Sequence, residues 1–127
     1  MFVILRVNRF AVFPILFVLA AWAAPVYSTA ESKADEQAGA VLYRDKGCPR
    51  CHGADLAGNK KGPSLAEIRN DPAWPPEKIT KQIRDGGQKM PPFADSLTDQ
   101  EIAQLVAYLR AKDRPVVPPA PDGAPSN

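Results

Sequence analysis

Both cysteines and the single histidine of this 127-residue chain fall in five consecutive positions, Cys48-Pro49-Arg50-Cys51-His52. Two thiols separated by two residues can each add to a vinyl group of one porphyrin, and the histidine that follows is carried to the iron. A Cys-x-x-Cys-His run is the attachment site of a c-type haem. A chain that concentrates these residues in one run is organised around one cofactor, a single haem c bound through Cys48 and Cys51 with His52 on the iron. Two other chemistries use part of the pattern. A thioredoxin-like thiol pair also reads Cys-x-x-Cys, but that fold needs a βαβ pattern around the motif, and none is visible. A zinc site would have only three of the four ligands of a tetrahedral centre.

The beginning of the chain has the marks of export. Arg6 and Arg9 precede an apolar run from Phe10 to Ala24, and Ser28-Thr29-Ala30 fits a small-x-small cleavage signal. The apolar run is shorter than the roughly 20 residues that span a bilayer as a helix, so a cleaved signal peptide over 1–30 is favoured over a retained anchor. No cysteine lies near the cleavage region, which excludes a lipidated terminus. The expected compartment is a bacterial periplasm, with no stable membrane insertion after cleavage. The two signal arginines account for the whole net charge of +2, so the remainder is neutral and nothing argues for a nucleic-acid partner.

Residues 31–113 make one small domain, a size that often needs a staple. A disulfide would consume the two thiols of the motif, whereas a covalently tied porphyrin adds apolar core. The segment 114–127, with Pro115, Pro118, Pro119, Pro121 and Pro125, has no helical or strand period. It reads as a Pro-rich extended or disordered tail.

Helix signals recur between these ends, and no stretch makes a convincing strand. Thr98 and Glu101 form a capping box, and Leu97 and Ile102 a hydrophobic staple. Ile102, Leu105, Val106 and Leu109 then follow the stripe of an amphipathic helix that should stop near Lys112, before Pro115. A second helix is expected from about Lys33 to Tyr43 or Lys46; Gly39 inside it costs about 1 kcal/mol relative to Ala and makes sense where another helix crosses closely. Ser64 and Glu67 suggest a short third helix with Leu65 and Ile68 inward. A fourth opens at Pro75-Pro76, buries Ile79 and Ile83, and ends on Gly86. The class is all-α, about four to five short helices, with long loops at 52–63 and 86–97.

The second axial ligand follows by elimination. One histidine excludes two histidine ligands from one molecule, and Met1 leaves with the signal, so Met90 stands alone. It lies between Gly86-Gly87, which allow a sharp turn, and Pro91-Pro92, which fix φ. An ordinary core methionine is the competing reading.

With these features in place the chain resembles a class I monohaem cytochrome c of the small bacterial periplasmic kind, over roughly residues 36–112. The matching features are Gly39 and Tyr43, Cys48-x-x-Cys51-His52, Gly62-Pro63-Ser64-Leu65, Met90-Pro91, and Leu105, Tyr108 and Leu109. The resemblance implies the cytochrome c fold, with Gly39 and Tyr43 crossing Leu105 and Tyr108. It implies that the carbonyl of Pro63 accepts the Nδ1–H of His52, a bond that fixes the tautomer. Trp74 or Arg69 would reach a haem propionate, against simple packing for Trp74 and a solvated head for Arg69.

It further implies a periplasmic one-electron carrier, not an enzyme. His/Met ligation raises the iron potential relative to two histidines and leaves no open site for substrate. A haem sensor or peroxidase-like protein with a displaceable Met90, and a thiol–disulfide oxidoreductase, are the alternatives. The expected partners are a redox donor and acceptor (a dehydrogenase, an oxidase or a reductase), met by a monomer. Arg44, Lys46, Arg50, Lys60, Lys61 and Lys89, opposed by Asp45 and Asp55, would form a basic rim that steers an acidic partner, or else a solvated mixed-charge surface.

Overall fold

The computed structural model describes residues 29–119. Most of the expected signal peptide, residues 1–28, and the end of the expected tail, 120–127, lie outside the described residues. Four helices follow in order: α1 (Thr29–Asp45), α2 (Pro49–His52), α3 (Pro76–Asp85) and α4 (Asp99–Arg110). Among the described residues there is no strand, only an isolated bridge between Asn59 and Gly62. None of these helices is long and apolar enough to cross a membrane.

α4 is built as its sequence predicts. The Glu101 N–H donates to Thr98 Oγ1 at 3.2 Å, and the Thr98 N–H donates back to Glu101 Oε2 at 2.7 Å. These bonds satisfy donors that the first turn leaves free. Ile102, Leu105, Val106 and Leu109 are buried, joined by Tyr108 and, ahead of the cap, Leu97. The helix stops at Arg110, slightly before the expected Lys112. α3 starts with Pro76, buries Ile79 and Ile83, and is closed by Gly86 at φ 71°.

α1 is already helical at Thr29, the first described residue, ahead of the expected start near Lys33. No proline or glycine stands between Thr29 and Gly39 to break that first stretch. Its packing face is narrow. A Cβ on Gly39 would overlap the carbonyl oxygen of Gln104 and approach Tyr108 Cβ to 2.7 Å. Only the missing side chain lets α1 cross α4 at this distance. Around the crossing, Ala40 and Tyr43 are buried, the Tyr43 and Tyr108 rings lie 5.6 Å apart, and Gln104 Nε2 donates to Asp35 at 3.2 Å. A tilted aromatic pair of this kind contributes about 0.5–1.5 kcal/mol beyond its buried area.

One expectation about the middle of the chain needs correction, and the one about its end is narrowed to its extended alternative over 114–119. The short helix at Ser64–Ile68 is absent, replaced by a series of turns. Ser64 Oγ does not act as a helix cap: it accepts from Ala66 N–H at 3.2 Å and donates to the Leu56 carbonyl at 3.1 Å. The Ala66 carbonyl accepts from Arg114, and the Leu65 carbonyl is shared between Arg114 and the Ile68 N–H of a turn, so no helical ladder forms. Leu65 and Ile68 nevertheless pack against the core, as expected. The folded body also continues past residue 113. Arg114 and Val117 are half-buried, Val117 packs on the core, and the Arg44 guanidinium donates to the carbonyls of Pro118 and Pro119 at 3.2 and 2.7 Å. Residues 114–119 have neither helix nor strand, but they are tied down.

Candidate haem site

The motif follows directly from the end of α1. The Cys48 N–H donates to the Tyr43 carbonyl at 3.1 Å, and Pro49 then opens the single turn of α2. Proline suits that first position because its missing N–H would have had no partner. The turn closes with the His52 N–H on the Cys48 carbonyl at 3.0 Å, which stacks Cys48 and His52 on one face. Tyr43 Oη donates to the Gly53 carbonyl at 2.7 Å and locks the end of the turn to α1. Burial is the main reason that this phenol is pushed far above its ordinary range, so it remains a donor.

His52 Nδ1 lies 2.9 Å from the carbonyl oxygen of Pro63. A carbonyl only accepts, so Nδ1 carries the proton and Nε2 keeps the lone pair that a metal takes. The segment around Pro63 doubles back over the motif: the Gly58 N–H donates to the His52 carbonyl at 2.8 Å, and Asn59 Nδ2 donates to the Arg50 carbonyl at 3.1 Å.

Met90 comes from the opposite side. At φ 71° Gly86 turns the chain out of α3, and the Gly87 N–H donates to the Met90 carbonyl at 2.8 Å. A Cβ on Gly86 would stand 2.5 Å from that same oxygen. Beyond the prolines, the Phe93 and Ala94 N–H groups donate to carbonyls at the end of α3 at 3.2 Å, and Lys46 Nζ donates to the Ser96 carbonyl at 2.8 Å. The methionine loop is therefore anchored both to α3 and to the segment leading into the motif.

Between these segments lies a cavity of about 570 Å³, within the roughly 300–1,000 Å³ of cofactor pockets. Cys48, His52, Pro63 and Met90 all border it, and its other walls include Tyr43, Leu65, Trp74, Ile79, Leu105 and Leu109. An apolar cavity with the Cys48 thiol, an oriented imidazole and a thioether at its edges, and Cys51 on the adjoining cavity one turn away, fits a haem tied at one side. Both thiols are free, and burial pushes Cys48 up to about 11. A thiol–disulfide catalyst needs the opposite, a thiolate formed near neutral pH, and among the described residues no strand exists for a βαβ frame. No three His, Cys, Asp or Glu side chains among them converge as a metal cage, so the zinc reading has no ligand set.

The remaining expected residues divide. Trp74 lines the cavity, with Lys78 Nζ 4.3 Å from the centre of its ring and its carbonyl accepting from Arg110 at 3.3 Å. Arg69 is not among the lining residues. Lys46, Arg50, Lys61 and Lys89 line an adjoining cavity of about 350 Å³ that also touches Cys48, Cys51 and Met90. Asp45 lies with them, whereas Lys60 and Asp55 do not. Arg44 is drawn away, bonded to Asp45 at 2.6 Å and to the C-terminal segment. Sequence reasoning missed α2 as a helix and Arg114 as part of the framework. A proline directly after Cys48 was the available signal for the first, and no periodic pattern marks the second.

Residues 34–109 match the family of the cbb3-type cytochrome c oxidase subunit III. The chain belongs to this family. It is 34% identical over 86 residues to the cbb3-type cytochrome c oxidase subunit FixP of Sinorhizobium medicae (strain WSM419), covering 57% of this chain and 28% of that protein. It is 32% identical over 82 residues to the menaquinol:cytochrome c reductase cytochrome c subunit of Bacillus subtilis (strain 168), covering 64% and 31%. The chain thus spans less than a third of the length of these curated relatives. Among solved structures, cytochrome cL from the marine methylotroph Methylophaga aminisulfidivorans MPT superposes with a TM-score of 0.51 at 27% identity, over 61% of this chain and 52% of that one. The dihydro-haem d1 dehydrogenase NirN in complex with DHE gives 0.52 at 32% identity, over 69% and 17%. As a family member the chain has the cytochrome c fold and carries one covalently bound haem c at Cys48 and Cys51, a group whose role is electron transfer.

Proposed function

We propose that the protein is a periplasmic one-electron carrier, not an enzyme, whose haem iron is held by His52 and Met90. When bound, the haem supplies a reversible Fe(III)/Fe(II) couple. The observation that carries the reading is the Nδ1–H bond from His52 to the Pro63 carbonyl at 2.9 Å, facing a cavity that Met90 also borders. The bond orients the ring and raises its basicity; losing such a partner typically costs 10–100-fold in metal affinity or activity. Met90 would complete the iron's ligands from a loop held by its own backbone and by Lys46, which argues against the displaceable methionine of a sensor or peroxidase. The apolar walls exclude water and favour the reduced, less charged state.

The partners are redox proteins that give and take the electron through brief contacts. The two curated relatives are named as subunits of an oxidase and of a reductase, which supports partners of those classes. Lys46, Arg50, Lys61 and Lys89 give the adjoining cavity a basic rim that steers an acidic partner to a monomer. Export through residues 1–30 brings the chain to the periplasm. The first test is the absorption spectrum of the exported protein, where lack of a covalently bound haem c would end this reading. The second is Met90→Ala, expected to lower the midpoint potential and change the ferric spectrum. An unchanged spectrum removes Met90 as a ligand.

A further inference from the structure

We infer that Arg114 is a positioning residue for His52, acting through the segment that presents the Pro63 carbonyl. The inference rests on the haem reading above and extends it to a residue outside the motif, the methionine loop and the helix crossing.

Pro63 has no N–H and lies in a stretch without regular structure, so its carbonyl is placed only by what holds its neighbours. On one side are the paired bonds between Asn59 and Gly62. On the other, the Leu65 N–H and the Ser64 hydroxyl both donate to the carbonyl of Leu56, at 2.8 and 3.1 Å. Leu56 is itself buried at φ 65°, a costly conformation for leucine that persists only where its surroundings enforce it.

Arg114 completes the support. Its guanidinium donates to the Ala66 carbonyl at 2.8 Å and to the Leu65 carbonyl at 3.4 Å. It also donates through Nε and a terminal nitrogen to the Leu109 carbonyl, at 3.2 and 2.8 Å. Leu109 lies in the last turn of α4, where carbonyls have no partner within the helix. One planar fork thus couples the end of α4 to the residues that follow Pro63. Lysine keeps the charge but cannot span three carbonyls in fixed geometry.

The two contributions of Arg114 move the potential in opposite directions. A firm His52–Pro63 bond makes the imidazole a stronger donor, which favours Fe(III) and lowers the potential. A positive charge near the cavity favours Fe(II) and raises it. Arg114→Lys removes the fork and keeps the charge; Arg114→Ala removes both.

The test is spectroelectrochemical titration of the haem-loaded full chain and of both variants. Arg114→Lys should raise the midpoint potential, with the ferric-to-ferrous ratio at fixed ambient potential falling about two- to tenfold, where tenfold is 59 mV for a one-electron couple. Arg114→Ala should lie below Arg114→Lys. An Arg114→Lys potential equal to wild type overturns the inference, even if the variant is less stable, because a merely structural role lowers stability without moving the potential. Should Arg114→Ala fail to fold, the lysine variant alone decides. A wild-type protein without covalent haem would overturn the underlying reading as well, and is seen before any variant is compared.

Discussion

Replacing Gly39 with alanine separates packing from propensity because the two predict opposite signs. In a free helix the change is favourable by about 1 kcal/mol. Here the new Cβ would overlap the Gln104 carbonyl oxygen and stand 2.7 Å from Tyr108 Cβ, against about 3.5–4.0 Å for an unstrained carbon pair. Neither obstacle can rotate away, since one is backbone and the other the first carbon of a buried side chain. The helices must therefore part by about 1 Å to restore normal carbon contacts. Retreat loosens Ala40, Tyr43, Leu105 and Tyr108, all nearly inaccessible. Overpacking of a core costs about 1–3 kcal/mol, and an immovable neighbour puts this site at the upper end. Set against the propensity gain, the net loss is about 2 kcal/mol. For a domain of this size that lowers Tm by roughly 8–16 °C. Thermal unfolding of the haem-loaded protein, followed by far-ultraviolet circular dichroism, measures it. A Gly39→Ala protein as stable as wild type, or more stable, would refute the close crossing.

Gly86→Ala places a side chain at φ 71°, ψ −160° against the Met90 carbonyl, a conformation that costs about 1–3 kcal/mol before the clash is counted. The reduced wild-type protein should resist carbon monoxide near neutral pH and Gly86→Ala should bind it; equal resistance would show that the turn does not govern the loop. The Glu101 carboxyl is held below its usual value near 4.5, first by the Thr98 backbone N–H and then by the Thr98 hydroxyl. A depressed folded value means stability present above pH 4.5 and lost as pH falls through the lower value. Glu101→Gln should accordingly flatten the acid limb of the stability profile, and an unaltered limb would remove this contribution. Thr98→Ala should cost about 1 kcal/mol in denaturant titrations, and no change would mean that the cap is dispensable.

Legibility in the sequence tracked whether the governing interaction was local. The cap of α4, the diproline start of α3 and its Gly86 exit involve residues within a turn of each other, and all three stand in the structure as read. The Gly39 crossing and the His52–Pro63 bond could be anticipated through family resemblance, since their partners are distant in sequence. Ser64 shows the limit. Its spacing to Glu67 imitates a helix start, but Leu56 and Arg114, remote along the chain, take the groups a helix would have used. Arg44 fails as a rim residue for a related reason: besides its neighbour Asp45, its partners lie in the segment after α4, and nothing local announces those.

The α1–α4 crossing also bears on the order in which the molecule assembles. Asp35 and Gln104, bonded across it, are 69 residues apart, so this contact closes nearly the whole folded unit into one loop. The length-dependent part of that closure is about 4 kcal/mol, due before any crossing contact forms. The attachment residues lie inside the loop, immediately after the strand of chain that leaves α1. A porphyrin tethered there would give the intervening segments a common apolar surface to condense on, which would shorten the search for the two helices. Attachment on a still-open chain would therefore precede the crossing of the helices, the contact that carries the largest closure entropy.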